Sequence, residues 1–221
     1  MPEPAALPVP APDKIADLKI ILLGDSAVGK SKLMERFLLK DYSQATNSTY
    51  ALSLFKHATR HPTTGQPMVI DFFDTAGQER FASMHASYYH GAHACLLTFD
   101  LTRKITYKNL ENWYRELRQH RPTIPVIILA NKIDTQPEMA QRDFKFAVDN
   151  KLDVVFVSAS DGTNVVRAFQ EIVSRAVAYK EGDQRDFMDD VLDLIRDEAP
   201  VAAVAVGAGP TEVPVGSLPV T

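Results

Sequence analysis

Eight consecutive residues carry the most explicit chemistry in the chain: Gly24-Asp25-Ser26-Ala27-Val28-Gly29-Lys30-Ser31. They follow the apolar run Ile20-Ile21-Leu22-Leu23 and lead into Lys32-Leu33-Met34-Glu35-Arg36-Phe37-Leu38, where apolar residues recur at helical spacing. A buried strand, a glycine-bounded turn and an amphipathic helix in that order predict a phosphate cradle. The N–H groups of the turn and of the helix N-terminus present partial positive charge to an anion. Contacts to phosphate are expected from Asp25, Ser26, Ala27, Val28, Gly29, Lys30, Ser31 and Lys32, with Lys30 reaching the outer phosphates. The Ser31 hydroxyl is expected on Mg²⁺, a hard cation that takes oxygen ligands and keeps several waters.

Three other clusters stand at the ends of apolar runs. Asp74-Thr75-Ala76-Gly77-Gln78 closes the run 68–73. There Asp74 can hold the same Mg²⁺ through its water shell, and the Gly77 N–H can meet a terminal phosphate with no side chain in the way. Gln78 offers both a donor and an acceptor, which suits it to orienting an attacking water, so Gln78 and Lys30 are the candidate catalytic residues. Asn131-Lys132-Ile133-Asp134 closes the run 126–130. Asp134 can accept hydrogen bonds from the ring N–H and amino group of guanine, whereas adenine has no matching pair and would leave the carboxylate unpaired. Ser158-Ala159-Ser160 ends the run 154–157, where a backbone N–H can reach the guanine carbonyl.

The elements that must position these clusters follow from pattern. Short apolar runs at 20–23, 68–73, 94–99, 126–130 and 154–157 alternate with helical patterns at 31–40, 104–119, 138–149 and 165–179. Alternation of this kind predicts an α/β fold with a parallel sheet covered on both faces, whose ligand sites lie beyond the carboxyl ends of the strands. Residues 51–59, with Leu52, Leu54 and Lys56 on the opposite side from Ser53 and Phe55, and 67–73 form a hairpin around Pro62-Thr63-Thr64-Gly65 that supplies one antiparallel edge strand. The Pro/Ala-rich residues 1–16 are expected to be a disordered arm and 17–180 the domain. Residues 181–198, with Phe187, Val191, Leu194 and Ile195 at helical spacing, are expected to form an amphipathic helix, and 199–221 a disordered tail.

Composition narrows the function classes. A net charge of −4 over 221 residues argues against a nucleic-acid partner. A single cysteine, Cys95, permits no internal disulfide and fits a reducing, cytoplasmic setting. His90 and His93 near Cys95 lack a flanking acid and are not read as a zinc site. His57, His61, His85 and His120 read as surface or packing residues, Trp113, Tyr114 and Leu117 as the inner face of their helix, and Arg115, Arg118 and Arg121 as a solvated strip.

Taken together, Gly24 to Ser31, Thr49, Asp74 to Gln78, Asn131 to Asp134 and Ser158-Ala159 resemble the Ras superfamily of small GTPases from about residue 19 to 179. Asp74-Thr75-Ala76-Gly77-Gln78-Glu79-Arg80-Phe81 with Tyr88-Tyr89 resembles its Rab branch. Residues 24–38, 48–52, 83–89 and 161–166 look more narrowly like the Rab-like 2 group. The resemblance implies the P-loop GTPase fold, a mostly parallel six-stranded sheet, and a monomer that binds GTP or GDP with Mg²⁺. It implies that Thr49 reaches Mg²⁺ and the terminal phosphate only in the triphosphate state and that Tyr42 lies against the guanine. Effector proteins would meet residues 44–56 and 76–90, and loss of the phosphate would release Thr49 and Gly77.

Departures from the Rab pattern carry their own expectations. Tyr50-Ala51-Leu52-Ser53-Leu54 stands where Rabs carry Ile-Gly-Val-x-Phe, and the aromatic surface triad becomes Leu54, Phe73 and Tyr88, so ordinary Rab effectors are not expected. Ser160 replaces a lysine whose stem covers the base, which predicts faster nucleotide exchange. With no cysteine after Cys95, and Pro2 after Met1, a prenyl or N-terminal acyl anchor is not expected. Recruitment then falls to protein partners. For the Rab-like 2 group the resemblance implies intraflagellar transport complex B, a ciliary-base recruiter and a location at the ciliary base. Against the switch stand an adaptor that holds GTP and barely hydrolyses it, and an ATP-using P-loop enzyme, which Asp134 disfavours.

Overall fold

The computed structural model describes residues 15–39, 52–75 and 88–182, all within the compact unit Met1–Gln184. Six strands, β1 (Leu18–Leu23), β2 (Leu52–Arg60), β3 (Pro67–Thr75), β4 (Ala94–Asp100), β5 (Val126–Asn131) and β6 (Asp153–Val157), form one sheet in the order β2-β3-β1-β4-β5-β6. Every pairing is parallel except β2 with β3, so the hairpin supplies the antiparallel edge. Among the described residues the helices are α1 (Lys30–Leu39), α2 (Lys104–Lys108), α3 (Leu110–His120), α4 (Lys145–Asp149) and α5 (Val165–Glu181). Among the described residues no helix is long and apolar enough to cross a membrane.

Strand side chains alternate between two cores because successive residues point to opposite faces. Ile20, Leu22, Ile70, Phe72, Leu96 and Leu129 meet Leu33 and Met34 of α1 and Ala168, Phe169, Ile172 and Ala176 of α5. Phe37 stacks on Phe169 at 4.5 Å between ring centres and is edge-on to Phe72. On the other face Ile21, Leu23, Leu97, Phe99, Ile128 and Ala130 meet Leu110, Trp113 and Leu117 of α3 and Phe144 and Ala147 beside α4. Each such side chain taken fully from water contributes roughly 1.5–3 kcal/mol, which is why a sheet covered on both faces reads as uninterrupted apolar runs.

Three sequence expectations need correction. The pattern over 104–119 predicts one helix, but the structure has α2 and α3 with Asn109 at the junction, the residue whose amide is drawn inward to Asp25. The pattern over 138–149 also divides. Residues Pro137–Gln141 make a 3₁₀ turn, Arg142 and Phe144 are extended, and α4 begins only at Lys145. Phe144 is turned into an aromatic group with Phe99 and Tyr107, at 5.2 and 5.1 Å, and that packing requires the extended backbone. The arginine strip is a solvated face only at Arg115, which is exposed. Arg121 is 2% exposed, and Arg118 donates to the Arg121 and Ile124 carbonyls and lies over the Tyr114 ring.

Of the described histidines, His57 packs against Phe37, His120 stacks on Tyr89 and His93 accepts the Lys19 N–H, while His90 is exposed and His61 accepts the Thr63 and Thr64 N–H groups and lies 3.1 Å from Glu181. Burial raises the Cys95 thiol pKa well above its usual range, and no metal-ligand cluster occurs among the described residues. The arm before residue 15, the 181–198 helix beyond Gly182, the 199–221 tail, and Tyr42, Thr49, Gly77 and Gln78 lie outside the described residues.

Candidate nucleotide-binding site

The carboxyl ends of the parallel strands bring the sequence clusters to one edge of the sheet. Register sets Asp74 of β3 beside Leu22 of β1, Asp100 of β4 beside Asn131 of β5, and Asn131 beside Val157 of β6. Residues 24–29 cross this edge between β1 and α1. Gly24 and Gly29 are required here for space as well as conformation. A Cβ on Gly24 would stand 2.1 Å from the Thr98 carbonyl oxygen, one on Gly29 2.3 Å from the Asn131 amide nitrogen, and both residues have positive φ. Ala27 also sits at φ 59°, a left-handed conformation that costs an alanine about 1–2 kcal/mol and must be imposed by its surroundings.

Those surroundings are side-chain donors. Lys30 Nζ donates to the Gly24 and Asp25 carbonyls at 2.8 and 3.0 Å, Arg103 Nη2 to the Ser26 carbonyl at 2.7 Å, and Asn131 Nδ2 to the Val28 carbonyl at 2.8 Å. A trans peptide points its N–H opposite to its C=O. Tying four carbonyls to side chains therefore fixes the direction of the four N–H groups that follow them. The loop is also anchored through the Asp25 carboxylate, which accepts from Asn109 Nδ2 and Trp113 Nε1, each at 2.8 Å. Asp25 thus meets α3 through its side chain and can offer a phosphate only its backbone.

Lys30 is 5% exposed, and burial pushes its ammonium pKa down to about 8, against the pull of Asp74 and Asp25, which raise it. An anion in the cradle would restore the charge that burial disfavours. At the start of α1 the Ser31 hydroxyl donates to Asp74 Oδ2, a carboxylate with no exposed surface. A hydroxyl and a buried carboxylate in contact make a hard oxygen set that fits Mg²⁺. Lys32 turns away to pair with Glu35 at 2.7 Å on the helix surface.

At the other end, Asn131 joins two loops. Its amide nitrogen holds Val28 and its oxygen accepts the Ala159 N–H at 3.2 Å. Lys132, at φ 69°, sends Nζ to the buried Asp100 carboxylate at 2.7 Å. Burial would raise the Asp100 pKa, but hydrogen bonds from Lys132 and Thr102 outweigh it and hold the carboxyl below its ordinary value. Asp134 lies exposed in the 3₁₀ turn Ile133–Thr135. Ser158 is buried; its hydroxyl accepts the Asp161 N–H and its carbonyl the Gly162 N–H. From α1, Arg36 donates to the Ala159 and Ser160 carbonyls and braces this loop from outside. Leu54 and Phe73 are paired across β2 and β3, with Leu54 exposed and Lys19 Nζ over the Phe73 ring, while Tyr88 is buried.

The structure brings Asp25 through Lys30, Ser31, Asp74, Asn131, Lys132, Asp134 and 158–160 to one edge, with Lys32 apart. Sequence reasoning did not single out Asp100, Asn109 or Arg103, and it read Trp113 only as core and Arg36 only as part of a helix. The signal for Asp100 was available, since it ends an apolar run as Asp74 and Asn131 do.

The Ras family model matches residues 19–178. Rab-like protein 2A of Mus musculus is 59% identical over 180 residues, 81% of this chain and 79% of the relative. Rab-like protein 2B of Homo sapiens is 56% identical over 175 residues, 79% and 75% of the two chains. Ras-related protein YPTC6 of Chlamydomonas reinhardtii is 37% identical over 164 residues, 71% and 73%. A phosphate loop, an oxygen donor pair and an exposed aspartate on a six-stranded sheet, with these relatives spanning most of the domain, lead to one conclusion: this chain belongs to the Ras family and is a Rab-like small GTPase.

Proposed function

We propose that this GTPase binds GTP and GDP with Mg²⁺ at the edge just described, hydrolyses GTP slowly, and recruits effector proteins in the GTP state. The observation that carries the reading is Asn131, whose single amide holds Val28 of the phosphate loop and Ala159 of the loop after β6. A ligand recognised at both loops must have a base and phosphates at that separation, and Asp134 beside them selects guanine. Asp25, Ser26, Ala27, Val28, Gly29 and Lys30 would hold the phosphates, Lys132 would flank the base, and the loop 158–160 would reach its carbonyl. The Ala159 N–H is engaged by Asn131, so the Ser160 N–H is the better placed donor.

Ser31 and Asp74, with Thr49 from outside the described residues, would hold Mg²⁺, which supplies neutralisation of charge on the phosphates. Lys30 and the oriented N–H groups stabilise developing negative charge, and Gln78 orients the attacking water. Arg103 reaches a carbonyl and not an open position over the phosphates. Turnover without an activating partner should therefore be on the order of 10⁻⁴ to 10⁻³ per second, by analogy with GTPases lacking an arginine in cis. We assign effector contact to the edge carrying Leu54 and Phe73. Likeness to the Rab-like 2 group supports a role at the ciliary base with intraflagellar transport complex B, reached through protein contacts.

The test is the purified full chain with fluorescent GTP and GDP: off-rates with and without Mg²⁺, then single-turnover hydrolysis. Binding of both with a slow Gln78-dependent turnover is expected, and Gln78→Leu should hold the GTP form and its partner. If neither nucleotide bound, the site assignment would fall; if Gln78→Leu changed neither turnover nor partner binding, the switch would give way to the adaptor reading.

A further inference from the structure

Of the donors that hold the phosphate loop, one comes from outside every motif that led to the site. Arg103 follows β4, and its guanidinium is shared between two acceptors: Nε donates to Asp100 Oδ2 at 3.1 Å and Nη2 to the Ser26 carbonyl at 2.7 Å. The first acceptor is a fixed seat. Asp100 is buried, its other oxygen accepts from Thr102 N and Oγ1, and Lys132 Nζ shares Oδ2. Thr106 closes the turn by donating to the Arg103 carbonyl and accepting the Asp100 N–H. With Nε engaged on such a seat, the planar fork turns the adjacent Nη2 toward the loop. That direction ends on the peptide between Ser26 and Ala27.

We infer that Arg103 is a positioning residue for the phosphate loop: it holds the Ser26 carbonyl away from the cradle and so aims the Ala27 N–H into it. Three observations converge on this. Ser26 and Ala27 are the exposed residues of the loop, and neither side chain is held by the core. Ala27 stands at φ 59°, a conformation that needs an outside restraint in a residue with a Cβ. The Asp25 and Val28 carbonyls to either side have their own donors, Lys30 and Asn131, so the Ser26 carbonyl is the one that depends on Arg103. Because Lys132 and Arg103 share Asp100, the same carboxylate aligns a residue at the base end and one at the phosphate end.

The inference rests on the guanine-nucleotide reading, and the experiment separates the two. Wild type, Arg103→Met and Arg103→Lys are compared as full chains for GDP and GTP off-rates, single-turnover hydrolysis, urea midpoint and the amide resonances of Ala27 and Gly29 in the GDP complex. Arg103 is 40% exposed and Asp100 retains Lys132 and Thr102 without it, so the urea midpoint should change little. Arg103→Met should raise both off-rates about tenfold and by equal factors, the loss of one charge-assisted hydrogen bond. It should shift the Ala27 amide while leaving Gly29, behind the Asn131 contact, in place. Arg103→Lys should not rescue, since an ammonium on a flexible stem cannot span both acceptors. Full rescue by lysine, unchanged off-rates, or a fall in hydrolysis with unchanged off-rates would each overturn the inference. Failure of wild type to bind either nucleotide would instead overturn the reading beneath it.

Discussion

The two ends of the nucleotide edge are built in different ways. At the phosphate end, side chains from α1, from the turn after β4 and from β5 hold successive carbonyls, and α3 with its preceding junction holds the Asp25 carboxylate. At the base end, the loop after β6 is closed largely by its own turn contacts, with Asn131 and Arg36 as its supports from elsewhere. A cradle of N–H groups works only if every dipole is aimed, so it needs a donor for each carbonyl. A base is read by one carboxylate and one N–H, and a loop with two struts can supply that.

If the comparison holds, substitutions should rank by how many loops they release. Asn131→Ala releases both, leaving the Val28 carbonyl and Ala159 N–H buried without partners, a loss of about 2–4 kcal/mol. GDP dissociation should speed by two orders of magnitude or more. A change smaller than that of either single-loop variant would break the comparison. Trp113→Phe keeps the buried ring but removes one of two hydrogen bonds to the Asp25 carboxylate, a loss of about 1.5–3 kcal/mol. Stopped-flow exchange should show GDP and GTP leaving faster by similar factors. Smallest is Arg36→Met, which frees the base-end loop at about 1 kcal/mol and should raise the off-rate several-fold, with urea unfolding little changed. An effect of Arg36→Met exceeding that of Trp113→Phe would reverse the ranking.

The sheet, its antiparallel edge and the residues facing a ligand were readable because they obey local rules. Apolar runs mark strands covered on both faces, glycines mark positive φ, and Asp74, Asn131 and Ser158 each stand at or just past a strand's end. What escaped were the supports. Arg103 meets Ser26 across 77 positions, Asn109 and Trp113 meet Asp25 across 84 and 88, and Arg36 meets Ser160 across 124. No periodicity encodes such pairs, since they exist only once the sheet order is known. The break at Asn109 and the late start of α4 have the same origin. In each, a side chain turned toward a distant partner overrides a local pattern that favours continuous helix.

The link between Trp113 and Asp25 also gives the molecule a built-in optical reporter. The chain has one tryptophan, and its indole N–H is bonded to the carboxylate of a residue in the phosphate loop. Emission from an indole responds to the charge and orientation of the group it donates to. Loading, emptying or exchanging the nucleotide should therefore change the intrinsic fluorescence of the unmodified protein, letting the state of the loop be followed in real time without a label on either protein or ligand.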